Sequence, residues 1–230
     1  MSSGDLDDTD ALTSWARLAA VRARLASAAR LAGRNVTEIL LIAVSKTHPA
    51  NEIEPLLAAG HRIFGENRVQ EATEKWPALK ETVPDAALHL IGQLQSNKAD
   101  EAVALFDVIH SVDRPSLVSA LARAMDKTGK RPQCFVQVNI GDEAQKGGVA
   151  TAALGALLND ARAADLPLAG LMCLPPANVE PAPYFALLAK LARDHGLAGL
   201  SMGMSGDFET AVMLGATHVR VGSALFGARR

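Results

Sequence analysis

The chain has 230 residues, with 23 Lys and Arg against 25 Asp and Glu for a net charge of −2. A charge so near balance excludes a basic footprint for nucleic acid or for an anionic membrane surface. Hydrophobic residues make up 49% and aromatics only 4%, so the expected core is sizeable, aliphatic and alanine-rich.

Taken in chain order, the segment MSSGDLDDTD, residues 1–10, is acidic and polar. It is unlike a secretory signal or transit peptide and is expected to be a disordered tail. Residues 11–230 carry no long linker and read as one domain. From about Ala11 to Leu31, Trp15, Leu18, Val21 and Leu25 recur at helical spacing. Eight strand candidates follow: ILLIAVS, HRIFGEN, ALHLIGQL, FDVIHSVD, CFVQVNIG, LAGLMCL, GLSMGM and HVRVGSALF. Helical segments lie between them, such as Asn67–Lys80, Pro115–Lys127, Thr151–Ala164 and Pro181–His195. No apolar run is long enough to span a membrane. Cys134 and Cys173 sit in apolar runs without metal-ligand spacing, which reads as buried free thiols in a reducing cytosol.

Strands alternating with helices imply a parallel sheet, because parallel neighbours need a crossover. Eight units in this length fit a closed (β/α)8 TIM barrel with an extra N-terminal helix; an open doubly wound sheet is the alternative. In a barrel, function sits at the C-terminal ends of the strands. Polar residues collect there: Lys46, Asn67, Gln93 and Gln95, Asp113 and Arg114, Asn139, Ser201 to Ser205, and Gly222-Ser223.

Lys46 ends a run of apolar residues. It either snorkels to solvent or is an amine whose ammonium form is disfavoured by desolvation, able to attack an aldehyde. The stretch SMGMSGDFETAVMLGATHVRVGSALFG, residues 201–227, places small residues, serines and a helix start where such barrels hold phosphate. The plain alternative is turn glycines and a helix cap at Asp207. Arg220, inside an apolar strand, reads as a structural ion pair or as the partner of a pyridine nitrogen that it would leave unprotonated. Asn67 reads first as a helix cap. His89 and His110 read as core or supporting residues, and Lys146 as solvent-exposed. No P-loop, zinc cluster, nucleophile elbow or Rossmann fingerprint is present.

The motifs AVSKTHPANEI, FGENRVQEA, HLIGQLQSNK, IHSVDR, VQVNI and LSMGMSGDFETAVMLGATHVRVGSALFG together resemble the pyridoxal phosphate homeostasis proteins. These are single-domain relatives of the alanine racemase N-terminal barrel. The resemblance runs from about Leu12 to the end of the chain. It implies pyridoxal 5'-phosphate (PLP) held as a Schiff base on Lys46. It implies a phosphate site at Ser201, Met202, Gly203, Gly222 and Ser223, with Arg220 at the pyridine nitrogen and Asn67 beside the ring. It implies a cytoplasmic, monomeric cofactor carrier without robust catalysis and with no catalytic residue or metal, buffering PLP or delivering it to apo PLP-dependent enzymes.

The chain departs from the family pattern at His48, where many relatives have a second lysine, at Arg68, where many have tyrosine, and in lacking C-terminal lysines. Lys146 matches the family's loop lysine. The alternative function is a PLP-dependent amino-acid racemase. The carrier is favoured because no second base is visible opposite Lys46. No second domain is expected, and the one tyrosine, Tyr184, lies in a segment reading as an outer helix.

Overall fold

A computed structural model describes the backbone from Asp5 to Gly227 and the side chains from Thr13 to Gly227. Among the described residues nine parallel strands are found: β1 (Leu40–Val44), β2 (Ile63–Glu66), β3 (Ala87–Leu90), β4 (Val108–Val112), β5 (Gln133–Asn139), β6 (Val149–Ala150), β7 (Leu168–Cys173), β8 (Gly199–Met204) and β9 (His218–Val221). Their order is β4-β3-β2-β1-β9-β8-β7-β5, and a β4–β5 pairing closes the ring. The closed barrel therefore holds and the open sheet does not. The two-residue β6 continues along β5 at Val138 and Asn139, beyond the point where β4 stops pairing at Val136.

The helices are α1 (Asp5–Leu31), α2 (Ala50–Ala58), α3 (Val69–Thr82), α4 (Ala99–Leu105), α5 (Pro115–Thr128), α6 (Leu154–Ala163), α7 (Ala182–Asp194), α8 (Phe208–Met213) and α9 (Ser223–Phe226). In α5 the local chemistry is plain. Pro115 opens it, and Gly129 closes it at φ 71 with its N–H on Met125 O. Leu117, Val118, Leu121, Ala124 and Met125 form its buried stripe. Each Leu, Val or Met of the stripe contributes about 1.5–3 kcal/mol relative to exposure. Among the described residues no helix is long and apolar enough to cross a membrane.

Three sequence expectations need correction. First, α1 starts at Asp5, so it takes in residues 5–10 of the expected tail, while residues 1–4 lie outside the described residues. An acidic run is also what a helix N-terminus favours. Second, Leu18, Val21 and Leu25 are buried as their spacing predicts, but Trp15 is 59% exposed. At 27 residues α1 is about 40 Å long and outruns the helices it packs on, α2, α8 and α9. Third, the last strand stops at Val221, and Ser223–Phe226 turns helical.

The two-residue period of the strands sorts side chains into two layers. Leu41, Ala43, Phe64, Leu88, Leu90, Val136, Val138 and Val219 join the main core between sheet and helices. Their strand neighbours His89, His110, Phe135, Met172, Ser201, His218 and Arg220 face the barrel interior. Ring contacts there join His110 to Phe135 at 4.5 Å and His218 to Phe135 at 4.9 Å. The interior is thus filled with polar side chains as well as apolar ones.

Candidate functional site

Strand register brings the site together. Val44 pairs with Gly65 and Ala43 with Val221. Two residues beyond Val44 and Gly65 come Lys46 and Asn67, and β9 runs into Gly222-Ser223 beside them. These residues, with Arg220, line a cavity of about 350 Å³ at the C-terminal mouth. Five of the eight predicted binding residues therefore share one cavity: Lys46, Asn67, Arg220, Gly222 and Ser223. Asn67 can reach it because Gly92 has no side chain. A Cβ at Gly92 would lie 2.2 Å from Asn67 O and 2.7 Å from its Cα.

Ser201, Met202 and Gly203 do not line this cavity. Met202 is fully buried in the main core, on the helix side of the sheet. Ser201 is fully buried inside the barrel, where its Oγ accepts from Arg220 Nη1 at 2.6 Å and meets His110 Nδ1 at 2.9 Å. The serine at the mouth is Ser205, which lines the cavity with Met204 and Gly206. Its Oγ accepts from Gly222 N–H at 3.2 Å, tying the two mouth loops together. A bulge between Ser201 and Met204 breaks the two-residue alternation, and Ser205 follows just past the end of β8, on the mouth side. Asp207 is the N-cap residue of α8, but its carboxylate makes no bond into the helix; it accepts from Met204 N at 2.6 Å and folds the same loop.

Arg220 is 4% exposed and has two neutral partners, Ser201 Oγ and the Cys173 carbonyl at 2.9 Å. No carboxylate among the described residues lies within ion-pair distance of it. Burial lowers its pKa, with Cys173 and Asp207 opposing, yet a guanidinium stays charged. A buried charge without a counter-ion is costly, so the cavity floor is built for an anionic or electron-rich ligand. Behind it runs a string of hydrogen bonds. Arg220 donates to Ser201 Oγ, Ser201 Oγ meets His110 Nδ1, and His110 Nε2 meets His89 Nδ1 at 2.9 Å, the direction along the string being set by the histidine tautomers. Burial above all pushes His89 down to about 3 and His110 well below the ordinary histidine value, so both are neutral links.

His48 also lines the cavity. Its Nδ1 lies 2.5 Å from Glu52, one turn along, and its ring stacks on Phe226 at 4.4 Å. Other polar strand ends stitch loops instead. Gln93 Nε2 donates to Gln137, Gln137 to Gly147 O, Asn139 to Glu143 O and Arg114 to Leu94 O. Lys146 is partly buried, bonded to Pro175 O at 3.0 Å and paired with Glu143. Tyr184 packs against the main core from α7, away from the cavity. Cys134 and Cys173 are free and buried, their thiols pushed up to about 12 by burial.

A closed parallel barrel with an amine and a guanidinium at its mouth defines the class. The family model for the alanine racemase N-terminal domain matches residues 16–230. The chain belongs to the pyridoxal phosphate homeostasis protein family within that class. It is 41% identical to the pyridoxal phosphate homeostasis protein of Pseudomonas aeruginosa, over 92% of this chain and 94% of that one. With the protein of the same name from Escherichia coli K12 the identity is 39%, over 92% and 95%. The structure of PipY from Synechococcus elongatus with PLP bound superposes with a TM-score of 0.79 at 41% identity, over 90% of this chain and all of that one.

Proposed function

We propose that this protein takes up PLP in the barrel mouth, holds it covalently through Lys46, and buffers it or passes it to apo PLP-dependent enzymes in the cytoplasm. The observation that carries the reading is one cavity with the Lys46 amine, the buried Arg220 guanidinium and the Ser205–Gly222 loop pair on its walls. The names of the relatives and the PLP-bound Synechococcus structure support the same cofactor. The two buried free thiols suit a reducing compartment.

When bound, PLP supplies an aldehyde that condenses with a primary amine, releasing water. Lys46 offers that amine. Ser205, Gly206 and Ser223 would offer hydroxyl and backbone donors to the phosphate, with Gly222 N–H holding the Ser205 hydroxyl in place. Arg220, fixed by Ser201 and the Cys173 carbonyl, would face the ring nitrogen and leave it unprotonated. Asn67 would border the ring. We assign no catalytic residue, and we take the carrier to be a monomer.

The test is an ultraviolet–visible spectrum of the purified protein, then borohydride reduction and peptide mass mapping. The expected result is a visible-range band and a reduced adduct on Lys46, both lost in Lys46→Ala. Saturation with PLP without any adduct at Lys46 would overturn the proposal.

A further inference from the structure

The motif GENRVQEATEK carries Glu66, Glu71 and Lys75, which touch no part of the cavity. They meet instead beneath the turn that carries Lys46. Lys75 Nζ donates to Ser45 O at 2.9 Å and to His48 O at 3.0 Å, the residues just before and two after Lys46. The same ammonium pairs with Glu66 Oε1 at 2.8 Å and Glu71 Oε1 at 2.9 Å. Glu71 Oε1 also accepts from Thr47 N–H at 2.5 Å. Thr47 sits at φ 65, the left-handed region that a β-branched residue rarely adopts. Such a conformation is strained and persists only where its surroundings hold it.

Glu66 joins this cluster to the barrel. It is fully buried on the helix side of β2, and its Oε1 takes Ser45 Oγ at 2.6 Å and Trp76 Nε1 at 3.0 Å besides Lys75. Its Oε2 has no hydrogen-bond partner among the described residues. Apolar residues of like volume often replace a buried ion pair at no loss of stability. What they do not replace is a donor aimed at the two carbonyls that bracket Lys46.

We infer that Lys75, held between Glu66 and Glu71, is the positioning residue for Lys46: it clamps the turn on both sides and so sets where the amine stands in the mouth. This rests on Lys46 as the attachment point for PLP. The clamp draws one carboxylate from β2 and a carboxylate and an ammonium from α3.

The test uses the full chain with Lys75→Met and with Lys75→Met/Glu66→Gln. The double variant removes both charges and keeps an acceptor for Ser45 and Trp76. Three quantities are measured on folded protein: the thermal midpoint, the rate of borohydride-trapped adduct formation at Lys46 with added PLP, and labelling of Lys46 by trinitrobenzenesulfonate in cofactor-free protein. Misplacement of a reacting group by about 1 Å can cost about 100-fold. The expected result is trapping slowed by about 10- to 100-fold with altered Lys46 labelling, in the double variant at a near-wild-type midpoint. A lowered midpoint with wild-type trapping and labelling rates would make Lys75 merely structural and overturn the inference. The labelling arm needs no PLP. A wild-type protein that forms no adduct therefore fails the cofactor reading, while the labelling comparison still decides the clamp.

Discussion

Ser201 lies within β8 and Ser205 just past its end, and their neighbours give them different work. Ser201 is buried under Arg220 and shares a hydrogen bond with His110. Ser205 is at the mouth and bonds Gly222 N–H. If Ser205 serves the phosphate, Ser205→Ala removes a bond to a charged group, worth about 1.5–3 kcal/mol. The expected result is PLP affinity lowered about tenfold or more with the affinity for unphosphorylated pyridoxal unchanged, measured by fluorescence titration. Ser201→Ala should leave the ratio of the two affinities alone and change the spectrum of the bound cofactor through Arg220. If Ser201→Ala alone erases the preference for the phosphate, the two roles are reversed. That Lys46, Asn67, Gly222 and Ser223 gather at the mouth was legible from their places at strand ends, and Arg220 stood out as a charge inside an apolar strand. Ser205 was obscured because the strand boundary decides it, and Gly/Ser runs do not mark that boundary.

At the level of elements, the corner between β2 and α3 depends on an approach that only glycine permits. In Gly92→Ala the new Cβ would stand 2.2 Å from Asn67 O, against backbone that cannot rotate away. Overpacking of this kind costs roughly 1–3 kcal/mol. At about 2–4 °C per kcal/mol for a chain of this size, the thermal midpoint should fall by several degrees. PLP binding should weaken with it, since Asn67 is pushed from the cavity wall. A variant with wild-type midpoint and affinity would show that the corner is slack. The sequence marks this corner as polar and glycine-rich but gives no sign of which backbone atoms touch. Its last apolar run misleads for a related reason. VGSALF reads as continued strand, but short apolar runs do not distinguish strand from helix, and the chain turns into α9 at Ser223.

The whole barrel has a property that no single segment reveals. His110 and Ser201 are 91 residues apart and touch only because the ring closes. Burial first, with neighbouring positive charge adding to it, holds His89 at about 3 and His218 at about 4, and keeps His110 well below its ordinary value. His61, under α2, is held at about 4, again mainly by burial. In the unfolded chain each titrates near 6.5. Between pH 6.5 and about 4 the unfolded state therefore binds more protons, and stability falls as the pH drops. Each histidine contributes a slope of about 1 kcal/mol per pH unit. Urea midpoints should be level above pH 7 and fall steeply from pH 6.5 to 5. A flat profile across that window would mean that the interior histidines are already charged or solvated.

The residues at the barrel mouth bear on the choice between carrier and racemase. Racemisation needs a proton removed on one face of Cα and delivered on the other, by two placed groups. Among the described residues, the titratable side chains lining the cavity are Lys46, His48 and Arg220. Arg220 does not give up its proton. His110, the strand histidine nearest in sequence terms to such a role, is sealed between His89 and Ser201 below the floor. Tyr184 is on an outer helix. His48 remains, but it comes from the same β1–α2 turn as Lys46, with Nδ1 held by Glu52 and its ring against Phe226. Two groups on one wall serve one face. A missing second base costs about 10²–10⁴-fold. With L-alanine in deuterated water, the PLP-loaded protein should give slow Cα deuteration with retained configuration, followed by NMR and chiral chromatography. Efficient D-alanine formation, lost in both Lys46→Ala and His48→Gln, would place the two on opposite faces and make the protein a racemase.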